Sequence, residues 1–294
     1  MPSQWNRNRL AISTWVGSHR GADPAAVVAG CQCRDIAVPE SDRSSDLVGS
    51  GRPSAICQDN PMGRVGVNEV QEIALQKWRD RWPEWAIADV FIAPAQRLTA
   101  AAWFSLLMEW EDLLCQPSEQ AIVAVKLQWW QLELSQWSSQ RSSHPIAGLL
   151  MRFDAPWQSL AEALDDLAAL ASVPPTFAQA EARLARVLDA MAAVEMRLFA
   201  DQKASDRRLL LLHGLEARCR GATGGPAGMS MAAWRRALLD DWPQVPQSGR
   251  ARRLLSTLTY QRLQRTIQSE DGGCPRVGGR LQLLWRCWRS ATQA

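Results

Sequence analysis

Between Lys126 and Pro145 the chain reads KLQWWQLELSQWSSQRSSHP, and this order of residues leaves few structural choices. Leu127, Trp130, Leu134 and Trp137 recur at intervals of three and four, which puts them along one side of an α-helix. Lys126, Gln131, Glu133 and Gln136 fall largely on other faces. Trp129 projects beside the main stripe, so the spacing predicts a widened buried face with neighbours on more than one side. The serines of SSQRSSHP offer local side-chain bonds that compete with helix, and Pro145 disfavours a helical His144, so the element is predicted to stop there.

Helical periodicity continues on both sides. Asn68 is predicted to cap a helix over Val67–Trp78 with Val70, Ile73, Ala74 and Trp78 on one face. Trp82-Pro83-Glu84-Trp85 reads as a turn, and Pro94 suits the first position of a helix running to Leu114, on which Ala100, Trp103, Leu107, Trp110 and Leu114 share a side. Glu109 and Asp112 lie on another side, and Glu111 sits one turn before Cys115. SLAEALDDLAALA is a further helical stretch. Thr176 caps the long run FAQAEARLARVLDAMAAVEMRLFA, Asp206–Cys219 is the next helix, Ser230 caps MAAWRRALLDDW, and Ala251–Gln268 and Arg280–Ala291 close the chain. No stretch alternates as a strand does, so the fold class is all-α.

Of the 294 residues, 47% are apolar, enough for a real core, and the fifteen tryptophans are read as packing residues. Residues 1–66 are the exception. Their Gly, Ser, Pro, Asp and Arg cannot bury enough apolar surface to offset ordering, so they are expected to form a disordered extension, or to precede a true start near Met62. The helical domain is then 67–294. Seven scattered cysteines make no disulfide framework, and Cys31-x-Cys33 has no second pair to complete a zinc site. Without a signal-peptide pattern or an apolar run of about twenty residues, the expected location is cytoplasmic.

Net charge is +3, but Arg207–Ala294 holds fifteen Arg and no Lys against five acids, a local surplus of ten. A basic third of this kind suits a phosphate-bearing partner. Nucleic acid is the weaker candidate, because Arg252, Arg253, Arg262 and Arg265 share a helix whose leucines need a core and no reading motif accompanies them. An anionic membrane surface fits better: LQLLWRCWRS combines Trp with Arg, which would make the protein peripheral on the inner face of a membrane.

The order K-L-x-W-W-x-x-E-L followed by H-P resembles the squalene/phytoene synthase family of head-to-head prenyltransferases. Pro94–Leu114 resembles that family's first aspartate-rich helix, and PRVGGRLQLLWRCWRSA its C-terminal end. The resemblance implies a single-domain isoprenoid-synthase-like bundle around a central cavity, acting on prenyl diphosphates in isoprenoid metabolism. In the family two acidic motifs on facing helices hold Mg²⁺ against the diphosphate, as hard cations require. Here Glu109, Glu111 and Asp112 match the first motif and Glu216 is the one carboxylate of the second, LLLLHGLEARC. The last aspartate of the first motif falls at Cys115, a poor ligand for magnesium.

Two functions follow as expectations. One is a prenyltransferase with Mg²⁺ as cofactor. The other, favoured by the missing carboxylates, is a relative with lost or much reduced catalysis, acting as a scaffold or assembly factor on a membrane or protein partner. Asp165 and Asp166 are no substitute pair, since adjacent helical residues point about 100° apart. His19 lies in the N-terminal stretch, His144 is expected to order its turn, and His213 sits on an apolar helix.

Overall fold

The computed structural model describes residues 68–115, 120–171, 176–200, 205–221, 226, 228–244, 246–270 and 279–292. The expected extension 1–66 and the alternative start at Met62 lie outside the described residues. Among the described residues every regular element is helical. In chain order these are α1 (Glu69–Arg81), α2 (Trp85–Ala88) with a 3-10 turn at Asp89–Phe91, α3 (Pro94–Cys115), α4 (Gln120–Trp137) and α5 (Ala147–Leu150). They continue with α6 (Trp157–Ala163), a 3-10 segment (Leu164–Ala171), α7 (Phe177–Phe199), α8 (Arg207–Gly221), α9 (Met231–Asp240), α10 (Arg250–Glu270) and α11 (Arg280–Thr292).

The helix starts follow local chemistry. Asn68 accepts from the Gln71 backbone N–H at 2.8 Å while the Gln71 side chain accepts from Asn68 N–H at 3.1 Å, a complete capping box. Thr176 and Ser230 cap α7 and α9 by accepting from the backbone N–H groups of Gln179 and Ala233, each at 3.2 Å. Ala200 ends α7 in the left-handed region at φ 50°, where Gly or Asn is commoner. The stretch SLAEALDDLAALA divides: α-helix to Ala163, then tighter 3-10 winding to Ala171.

The centre of the bundle is α3. Thr99 to Met108, together with Trp110 and Leu113, are all buried, and a helix that is buried around most of its circumference must have neighbours on every side. It packs against α1, α5, α8 and the 3-10 segment, with α4 and α7 closing the remainder. Indoles fill the interior beside it. Trp103 meets Trp110 edge-on and Trp157 at a tilt, each with centroids 6.4 Å apart, and Trp157 in turn meets Trp137 at 4.9 Å. Each such ring contributes roughly 2–3 kcal/mol by burial.

Two expected faces are corrected. On α1 the buried residues are Gln71, Leu75 and Trp78, while Val70 and Ile73 are exposed by more than half. The rings decide this, because Trp78 packs against Trp82, Trp85 and Phe104, tilted or edge-on, at centroid distances of 5.6 to 5.8 Å, and their area outweighs that of two aliphatic side chains. On α4 the stripe Leu127, Trp130, Leu134 and Trp137 is buried as expected, but Trp129 is 39% exposed. α4 packs chiefly on α6 and the 3-10 segment, so among the described residues no helix covers its far side.

Candidate functional site

α3 and α8 pack side by side, and their facing surfaces bring Glu111 and Glu216 to one place. They meet on a cation. Arg220, one turn after Glu216 on α8, donates to Glu111 at 3.0 Å and approaches Glu216 at 3.5 Å. The Glu216 side chain is 6% exposed and that of Glu111 25%. Burial is the main influence on both carboxyls and raises them; Arg220 opposes it without prevailing. Glu111 is thereby pushed up to about 7. The same two acids keep Arg220 firmly protonated although burial acts the other way.

The remaining candidates diverge. Asp112 turns away to Arg81 of α1 at 2.7 Å. Glu109 meets His144 Nε2 at 3.1 Å, a contact that ties α3 to the turn after α4. Cys115 places its thiol 3.1 Å from the Ala217 carbonyl, and burial pushes that thiol up to about 12, so it is no thiolate ligand. Asp166 pairs with Arg186. Each of the four acids matched to the family's metal motifs thus faces an arginine or histidine of this chain.

Magnesium needs several oxygen donors around it at ~2.0–2.1 Å. These side chains do not fit that need: a guanidinium stands between Glu111 and Glu216, and Glu109 and Asp112 point elsewhere. Among the described residues no three of His, Cys, Asp and Glu are grouped so as to hold a metal ion.

Beneath the Arg220 cluster lies a second one that the sequence reading missed. Glu195 of α7 is 1% exposed and Arg252 of α10 is 2% exposed. They form a two-pronged ion pair, and Glu195 also accepts from Trp103 Nε1 at 2.7 Å and from the Ser205 hydroxyl. Arg252 Nη1 lies 2.8 Å from His213 Nδ1. A guanidinium can only donate, so Nδ1 is the acceptor and the proton of neutral His213 resides on Nε2. Burial first, then Arg252 and Arg220, hold His213 well below the usual histidine range, which keeps it neutral. Among the described residues, neither Nε2–H nor the Trp78 indole N–H, both buried, has a hydrogen-bond partner.

His213 and Trp78 line a small hollow of about 10 Å³ together with Trp82, Phe104, Glu111, Glu216, Arg220 and Arg252. Its lining residues include the two buried donors, two carboxyls of raised pKa, two guanidiniums and the rings of Trp78, Trp82 and Phe104. Such a space is about the size of a single water.

Glu133, which the spacing places on another face of α4 than the apolar stripe, is also buried. It is 3% exposed and accepts from Trp137 Nε1 at 3.0 Å, from the hydroxyls of Ser142 and Ser143, and from the backbone N–H groups of Ser143 and His144. Burial alone would raise its carboxyl. The bonds from Ser142, Trp137 and Ser143 outweigh it and hold the group at about 2. A clue to Glu195 was present, since it follows Leu184 and Leu188 in helical register on an otherwise apolar stripe.

Fold and site together define an all-helical bundle with ion-paired carboxylates at its centre. Compared with known protein families, curated proteins and solved structures, the chain matches none.

Proposed function

We propose that this chain is a squalene/phytoene synthase-like helical protein, with the isoprenoid-synthase type of bundle, that acts as a non-catalytic scaffold. The observation that carries the reading is the position of Arg220 between Glu111 and Glu216. Diphosphate departure in the prenyltransferases needs divalent ions gripped by carboxylates from two helices. Here a built-in cation neutralises those carboxylates, and it is one that cannot be exchanged or bring water with it. The indole-filled interior supports the same reading, since tightly packed rings favour a rigid support over a chamber for two long chains.

A second reading, an active prenyltransferase, is favoured by one observation: Glu111 and Glu216 approach one another from facing helices. Incubation with farnesyl or geranylgeranyl diphosphate and Mg²⁺, followed by assay of released diphosphate, separates the two. The scaffold reading expects none above the protein-free rate. Release that disappears in Glu111→Ala or Asp112→Ala overturns it.

A further inference from the structure

The arginines of the C-terminal third are used in two different ways. On α10, Arg252 is buried against Glu195, and Arg262 pairs with Glu84 while lying 3.8 Å from the centre of the Trp82 ring. Those charges are internal. On α11 the residues facing the protein are Leu283, Cys287, Ser290 and Ala291. Leu281, Leu284, Trp285 and Trp288 face out, 81%, 40%, 53% and 52% exposed. At about 100° per residue these four fall within an arc of roughly 100°, a second apolar stripe on the side away from the bundle.

The charges of α11 are Arg280, Arg286 and Arg289, with no acid on the helix. Among the described residues none of the three pairs with a carboxylate. Arg286 reaches Gln264 at 3.3 Å, and Arg289 rests 5.6 Å from the Trp285 ring centre. Apolar rings beside cations that pair with no carboxylate among the described residues match an anionic bilayer: indoles sit at headgroup depth and arginine stems extend to lipid phosphates. The outward stripe of α4, Ile122, Val125, Trp129 and Leu132, has only Lys126 as a cation and lacks that match.

We propose that the outward face of α11, formed by Leu281, Leu284, Trp285 and Trp288 with Arg280 and Arg289, docks in the headgroup layer of an anionic lipid bilayer. This holds whether or not the bundle centre is catalytic. The test is flotation of the full chain with vesicles of phosphatidylcholine alone and with vesicles containing added phosphatidylserine. The chain is expected to float with the anionic vesicles only, and less at high salt. The double variant Trp285→Ser, Trp288→Ser is expected to reduce binding by about tenfold or more. Arg280→Gln with Arg289→Gln is expected to remove the preference for phosphatidylserine. All four side chains are exposed, so unchanged thermal melting accompanies these losses, and Leu281→Glu supplies an independent variant. No flotation on either vesicle overturns the proposal, as does flotation indifferent to the tryptophan pair. A dimer that requires Trp285 and Trp288, formed without vesicle binding, overturns it in favour of a second copy of the chain.

Discussion

Arg220 on α8 donates to Glu111 on α3 at 3.0 Å, and this one contact joins the two helices at the point where the sequence resemblance implies a metal. The same guanidinium neutralises Glu216 on its own helix. Removing it leaves two carboxyls facing each other with burial raising both. Arg220→Ala is expected to lower unfolding free energy by about 2–3 kcal/mol, less than a fully buried pair because Arg220 is 30% exposed. Urea denaturation with an unchanged slope checks it; a shift under a few tenths of a kcal/mol contradicts it.

The Glu111 carboxyl titrates at about 7 in the folded chain against an ordinary 4.5. Between those values the native state binds more protons than the unfolded state, so this group's contribution to stability falls as pH rises. His213 acts in the opposite direction, being neutral when folded and protonated when unfolded below 6.5. The comparison is therefore with Glu111→Gln, in which the histidine contribution cancels. The variant is expected to match the wild type near pH 4.5, to gain on it up to about pH 7, and to keep a constant lead above that. Thermal melting across this range checks the trend, and a lead that does not change with pH contradicts it.

Glu195 and Arg252 are both almost wholly buried. Truncating one partner leaves an uncompensated buried charge, so Glu195→Ala is expected to cost about 3–5 kcal/mol. Replacing both with packed apolar groups, Glu195→Leu and Arg252→Met, is expected to cost much less. A double-mutant cycle by urea denaturation measures the difference; additive losses contradict the pairing.

Glu133 organises the turn that the sequence marked by its serines and His144-Pro145. Glu133→Gln weakens five charge-assisted bonds and is expected to cost about 2 kcal/mol near neutral pH. Because the folded carboxyl is held at about 2 against 4.5, its contribution is present above 4.5 and is lost as pH falls through about 2. The penalty of the variant should shrink over that acid range, as followed by urea midpoints; a penalty independent of pH contradicts the assignment.

Much of the helix order was legible because capping residues, prolines and three-to-four spacing act locally: Asn68, Pro94, Thr176 and Ser230 start helices as read. Facing was less legible. The exposure of Val70 and Ile73 follows from a ring cluster assembled with Trp82, Trp85 and Phe104, and no spacing within α1 reveals that. Glu111 and Glu216 stand on separate helices, and only the packing of α3 on α8 brings them to Arg220. Arg220 was hidden within a general arginine surplus, Glu133 and Arg252 look like surface residues until tertiary contacts supply their partners, and Glu195 alone stood on an apolar stripe that marked it as buried.

The central claim is that a guanidinium stands where two carboxylates would otherwise hold a divalent ion. Calorimetric titration of the full chain with Mg²⁺ tests this most directly. No saturable binding is expected for the wild type. Saturable binding that disappears in both Glu111→Ala and Glu216→Ala would contradict the account.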